Sequence, residues 1–227
     1  MDRQIPFALP VKTAFGRDNY FISDANALAV ATVENWSDWP QGKLMLTGDE
    51  GAGKSHLAQV WAAEVDGQIM DARAIADADI PTLLSGPLVI EDLHLAAGDT
   101  AAETQLFHLY NLSGAEGIPV LFTTRIPAAR MDFTVADLKS RMQALQTAQL
   151  GPLDDQLLAA ILVKLFADHQ LRVKPQVLDY TVRRIERSYA AALEFVRKVD
   201  RRALAGKSKV TIALARQVLD TDPKKTA

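Results

Sequence analysis

The chain has 227 residues, 48% of them apolar, enough for a sizeable core in one large or two small domains. It has no cysteine, no apolar run near the ~18 residues of a membrane span and no signal-peptide start, so disulfides, cysteine-based metal sites and membrane contact are excluded and a cytoplasmic protein is expected. The net charge of −3 is uneven: residues 1–151 hold 10 Lys and Arg against 19 Asp and Glu, and residues 152–227 hold 15 against 9, which points to two modules, the second with a basic face.

Residues 1–17 read as an irregular arm broken by Pro6 and Pro10. In it, Gln4 is followed by Ile5, Phe7 and Leu9 at alternate places, a pattern suited to a groove on a partner. On the residues alone, packing of the arm on its own domain is the plainer reading. Asp24 to Val33 reads as a helix with Asp24 as N-cap and Ala25, Leu28, Ala29 and Val33 on one face. Pro40-Gln41-Gly42 turns the chain into an apolar strand, Lys43 to Thr47.

The next nine residues, Gly48-Asp49-Glu50-Gly51-Ala52-Gly53-Lys54-Ser55-His56, fit G-x-x-x-x-G-K-[ST]. Helical spacing follows from Ser55 to Val65. Strand, glycine-rich loop and helix make a phosphate-binding P-loop, in which inward-facing N–H groups cradle an anion at a helix N-terminus. Lys54 supplies a point charge for the β- and γ-phosphates, and the Ser55 hydroxyl is a ligand for Mg²⁺. ADP or ATP is the expected cofactor, bound by Gly48, Glu50, Gly51, Ala52, Gly53, Lys54, Ser55 and His56.

Gly67 to Asp71 reads as a second strand and Ile80 to Leu84 as a short helix. Leu88-Val89-Ile90-Glu91-Asp92 is a Walker B pattern: apolar residues ending in paired carboxylates. Glu91 is assigned to the metal side, holding Mg²⁺, and Asp92 to the water side, orienting or deprotonating the attacking water. Ala101 to Ala115 reads as an amphipathic helix with Leu106, Leu109, Tyr110 and Leu112 inward. Ile118 to Thr124 is another buried strand, whose polar end Thr123-Thr124-Arg125 would emerge beside the nucleotide. A helix over 136–146 carries Lys139 and Arg141, and Thr147 to Leu150 is the last strand.

Alternating strands and helices predict an α/β fold, a parallel sheet with helices on both faces. Beyond Pro152 the spacing is helical throughout, with Asp154 and Ser188 as candidate N-caps. The expected organisation is an arm over 1–17, an α/β nucleotide-binding domain over 18–151, a small all-α lid over 152–221 and a tail over 222–227. Arg183, Arg184, Arg187, Arg197, Lys198, Arg201 and Arg202 lie on the lid's helices without interleaved aromatics, which leaves direct DNA contact open.

P-loop, Walker B, polar strand end and helical lid together resemble an AAA+ nucleotide-binding module. Leu138-Lys139-Ser140-Arg141 is similar to the arginine-finger segment of the DnaA group of replication initiators. The stretch from Phe21 to Leu28 is similar to that group's entry segment, which implies that Phe21 and Ile22 border the adenine. DnaA carries a helix-turn-helix domain after its lid, and this chain stops where that domain would begin. The Hda-type regulatory branch has this reduced plan, and Ala97-Gly98-Asp99 and Leu106 to Asn111 are similar to stretches in it. Gln4 to Leu9 is similar to the motif by which those regulators bind the polymerase sliding clamp, which moves the arm to that reading.

The resemblance implies a regulator of chromosomal replication initiation that promotes ATP hydrolysis by DnaA in trans, with Arg141 as the finger and DNA-loaded clamp as a second partner. It leaves self-association open. Two departures stand out. Thr123-Thr124-Arg125 lacks the family's sensor Asp, and Ala190 stands where the family's lid places a sensor Arg, with Arg187 near. Both imply weak or no hydrolysis of the chain's own nucleotide, which would serve mainly to fix the lid. The main alternative is a DnaA-like or helicase-loader-like ATPase acting directly in initiation. A small-molecule kinase and an adaptor with a vestigial P-loop complete the set.

Overall fold

Three apolar runs too short for helices become the central strands of a parallel sheet: β1 (Lys43–Thr47), β3 (Leu88–Glu91) and β4 (Val120–Thr124). β2 (Gln68–Asp71) and β5 (Thr147–Gln149) flank them, and the order is β2-β3-β4-β1-β5. The structure is a computed structural model describing residues 20–206 and 209–220. The described residues form two units, one of Tyr20 with 24–151, the other of 21–23 with 152–220.

Every pairing in the sheet is parallel, with Lys43 opposite Val120, Thr47 opposite Thr124 and Asp71 opposite Glu91. All strand C-termini therefore share one edge, and Lys43, Leu88 and Val120 mark the other. β1 and β4 are buried along their whole length, as strands covered by helices on both faces should be. On one side Met45, Ile90 and Phe122 pack with Leu106 and Leu109 of α4 (Thr100–Glu116) and Leu138 and Met142 of α5 (Ala136–Gln143). α2 (Lys54–Glu64) lies against β3 and β4, and α1 (Ala27–Glu34) lies against β5 and α2. α3 (Ile80–Leu83) is a single turn beside α4.

Two helix boundaries differ from the sequence reading by more than one residue. α1 starts after Asn26, not Asp24: the Asn26 carbonyl accepts the first helical bond, from Val30 N–H at 2.9 Å. α5 ends at Gln143 instead of running to 146. Residues 144–146 are needed to swing the chain into β5, where the Gln146 carbonyl accepts the Met45 N–H at 2.9 Å.

The second unit contains α6 (Asp155–Asp168), α7 (Pro175–Val182), α8 (Tyr189–Gly206) and α9 (Ile212–Asp220). Asp154 caps α6 by accepting the Leu157 N–H at 2.7 Å, and the Ser188 hydroxyl accepts the Ala191 N–H at 3.1 Å. Leu158, Leu162, Phe166, Val196, Val199 and Ala215 make its core.

Candidate functional site

β1 runs straight into the glycine-rich loop. Gly53 holds φ 98° as the residue before α2, a left-handed conformation that a side chain resists. At Gly48 a Cβ would stand 2.8 Å from the Leu150 carbonyl oxygen, so the loop can close on β5's exit only without one. Ala52 is buried, while Glu50 and Ser55 are exposed and Gly51 and His56 half-buried. His56 stacks on Tyr20, with ring centroids 5.3 Å apart. Burial pushes the Tyr20 hydroxyl well above its ordinary pKa, against a lowering hydrogen bond from Asn26.

Lys54 is buried, and its Nζ donates to the Gly48 and Asp49 carbonyls, both at 2.8 Å. Burial pulls its pKa below the ordinary lysine value. The Asp92, Asp49 and Glu50 carboxylates oppose that, and the Arg125 charge reinforces it. Of the paired carboxylates, Asp92 is thus the one whose charge acts on Lys54. It holds φ 53° and donates its N–H to the Thr123 hydroxyl at 3.0 Å, which ties the end of β3 to β4. Glu91 stands at the end of β3 with a buried Oε1 that has no hydrogen-bond partner.

Arg125, the residue after β4, links the surrounding pieces. Its Nε donates to His94 Nε2 at 2.8 Å, and its Nη1 lies 3.6 Å from the Glu50 carboxylate on the P-loop. The imidazole proton is thereby left on Nδ1, 3.9 Å from Asp92. Burial lowers the His94 pKa, so the ring accepts this bond as a neutral base. P-loop, β3 end and β4 end are joined around Lys54 by a chain of charged and hydrogen-bonded groups.

With strands, loop and carboxylates in place, comparison with solved structures decides the fold. Domain III of the replication initiation protein DnaA from Thermotoga maritima superposes with a TM-score of 0.77 over 93% of this chain and 98% of that one, at 17% identity. The fold is that of the AAA+ domain of DnaA. The AMPPCP-bound DnaA of Aquifex aeolicus matches 83% of this chain and 65% of its own, with TM-score 0.67 and 17% identity. The RuvB Holliday junction branch migration motor of Thermotoga maritima matches 78% and 61%, with TM-score 0.62 and 17% identity. This chain thus spans about two thirds of the Aquifex DnaA chain. No family model matches the sequence.

Within this fold Arg141 lies in the last turn of α5, half-buried. Its guanidinium stands 5.0 Å from the ring centroids of both Phe107 and Tyr110, and among the described residues no carboxylate lies within ion-pair distance of it. The ammonium of Lys43 stands over the same Tyr110 ring, 4.6 Å from its centroid. Lys43 opens β1 and Thr47 closes it, so the cluster and the P-loop occupy opposite edges of the sheet. The strand between them is about 13 Å long, and Lys43 Nζ turns further back, to the Gln41 carbonyl at 3.0 Å.

Phe21 packs against the core of the helical unit, and Ile22 is half-buried. In that unit Arg187 is engaged by Asp155 at 2.7 Å and the Leu153 carbonyl at 3.2 Å, and Ala190 sits in the first turn of α8. Gln4, Ile5, Phe7 and Leu9 lie outside the described residues. Among the described residues no helix is long and apolar enough to cross a membrane.

Sequence reasoning missed Lys43, His94 and Glu103. A lysine at the head of a wholly apolar strand was the available signal for the first. Glu103 is buried in α4 and accepts from the Gly98, Thr134 and Val135 N–H groups and the Thr134 hydroxyl, at 2.7–2.9 Å. No spacing rule announces that contact, because three of its four donors come from Thr134 and Val135, some thirty residues on.

Proposed function

We propose that this chain is a nucleotide-binding AAA+ regulator of chromosomal replication initiation, which binds ADP or ATP at its own P-loop and lends Arg141 to the ATP site of DnaA. The observation that carries this reading is the setting of Arg141. The guanidinium is half-exposed, has no acidic partner among the described residues and stands at the sheet edge away from its own P-loop. A cation so placed cannot serve the chain's own phosphates, but it is free to meet those of a neighbour. In phosphoryl transfer, a positive charge fixed where the transition state gathers negative charge lowers the barrier, and an arginine supplied in trans raises rates by roughly 10³–10⁵. Hydrolysis on DnaA leaves its ADP form.

The nucleotide at this chain's own loop rests on the cradle itself and on the AMPPCP carried by the Aquifex aeolicus DnaA structure. The residues fit Mg²⁺ as a hard cation held jointly with phosphates and water: the Ser55 hydroxyl is exposed on α2 and the Glu91 Oε1 is orphaned. No group of three or more His, Asp and Glu side chains among the described residues would hold a metal alone. When bound, Mg²⁺ would supply charge neutralisation at the β- and γ-phosphates. Asp92 and Arg125 beside Lys54 also favour a second reading, slow hydrolysis of the chain's own ATP, in the manner of a DnaA-like or helicase-loader-like ATPase.

The arm, through Gln4, Ile5, Phe7 and Leu9, would hold the sliding clamp and so confine the activity to DNA already loaded with it. Turnover of DnaA-bound ATP, with and without DNA-loaded clamp, tests the main reading. Arg141→Ala is expected to abolish stimulation while ADP binding survives, and undiminished stimulation would refute the role. Gln4→Ala is expected to weaken retention on clamp beads; equal retention returns the arm to packing on its own domain. Steady-state hydrolysis by the isolated protein separates the second reading from the first.

A further inference from the structure

Lys43 is fully buried, yet it has no carboxylate partner among the described residues. Buried lysines ordinarily have one, because an isolated ammonium is costly to remove from water. What surrounds it is the Gln41 carbonyl, the Tyr110 ring and the backbone of α4 at Gly114, where an added Cβ would stand 3.3 Å from Nζ. The Tyr110 hydroxyl donates to Gln41 Oε1 at 2.9 Å, and Gln41 and Gly42 both hold positive φ, so ring and carbonyl are fixed by the same turn. Tyr110 therefore carries two cations, Lys43 and Arg141, and their mutual repulsion joins burial in lowering the lysine's pKa.

We propose that Lys43 is a positioning residue for Arg141: acting across the shared Tyr110 ring, it holds the guanidinium toward solvent, ready for an anion brought by a second molecule. The proposal rests on the trans reading of Arg141. A ring contacted by one cation would hold it firmly. A second cation at the same ring weakens that hold and leaves a positive locus that none of the described residues neutralises. The missing counter-charge then comes from outside, and a nucleoside triphosphate on a neighbouring subunit supplies it. Stability is sacrificed for this, since an apolar side chain of equal length at position 43 would be cheaper to bury.

Lys43→Met in the full chain separates the two effects. Its thermal midpoint is expected to rise by about 2–4 °C. Its maximal stimulation of ATP hydrolysis by DnaA is expected to fall about tenfold or more, with the half-saturating concentration little changed. In an Arg141→Ala background the same substitution should change the stimulated rate no further. Wild-type stimulation by Lys43→Met, alongside an inactive Arg141→Ala, overturns the assignment to Lys43 alone. Wild-type stimulation by Arg141→Ala overturns the trans reading and this proposal with it. A lowered midpoint that accounts for the lost rate makes Lys43 merely structural and also overturns it. Should Lys43→Met not fold, Tyr110→Phe and Tyr110→Leu decide on the same readouts. The first should keep stimulation and the second should lose it; equal stimulation by both overturns the proposal.

Discussion

Arg125 shows how much a single side chain can organise at the mouth of a P-loop. It is half-exposed, and its ion pair with Glu50 spans 3.6 Å between solvated groups, so it contributes little to stability. Its charge, in contrast, acts on Lys54 and His94, the groups nearest the candidate phosphate site. Arg125→Gln is therefore expected to leave urea stability within about 0.5 kcal/mol. Affinity for ATP should drop about tenfold, and more than affinity for ADP, because the lost cation acts beside Lys54, the residue assigned to the β- and γ-phosphates. Titration calorimetry with both nucleotides checks this; an unchanged ratio would leave Arg125 as a surface link only. The polarity of the strand end marked Thr123-Thr124-Arg125 as the end of a sheet strand, and Arg125 does stand at the edge of the sheet that carries the glycine-rich loop. The bond to His94 was not foreseeable, since it joins residues 31 apart through the sheet.

At the scale of the element, α4 depends on a buried carboxylate. Burial by itself would raise the Glu103 pKa, but hydrogen bonds from Val135, Gly98 and Thr134 hold the carboxyl below its ordinary value of 4.5. A carboxylate whose folded pKa is depressed contributes stability that is present above the unfolded value and is lost as pH falls through the folded one. Glu103→Gln is expected to cost about 2–3 kcal/mol at pH 7. It should also remove part of the stability loss seen below pH 4.5, as urea unfolding of both proteins across pH 7 to 3 would show. Elements themselves were largely legible. β1, β3 and β4 stand where short apolar runs end in polar residues, and four helices follow Pro152 as their periodicity requires. The misplaced ends of α1 and α5 were set by what the chain must do next, a tertiary demand that local pattern does not carry.

For the whole molecule, parallel order matters more than any one contact. Because every strand points the same way, the P-loop, the carboxylates and Arg125 gather at one edge of the sheet, while Lys43 stands at the other with Arg141 beside its aromatic post. The portion holding both edges, residues 1–151, bears 19 acidic against 10 basic residues, so the half-buried Arg141 guanidinium is a cation on a domain of net negative charge. Encounter with a polyphosphate there should be steered by charge. At limiting concentration, stimulated hydrolysis by DnaA is expected to fall severalfold between 50 and 200 mM salt while the maximal rate holds. Equal sensitivity of both would place the salt effect in the chemistry.

That β1 begins at Lys43 and ends in the phosphate cradle has a geometric corollary. On the roles proposed for Arg141 and the P-loop, the molecule offers at one end what it accepts at the other; its contacts are then head-to-tail, and two such molecules cannot satisfy each other completely. Any couple formed in this way retains one unused donor and one unused acceptor. Such a couple either recruits a third subunit or is halted by a neighbour whose own surface lacks the matching half.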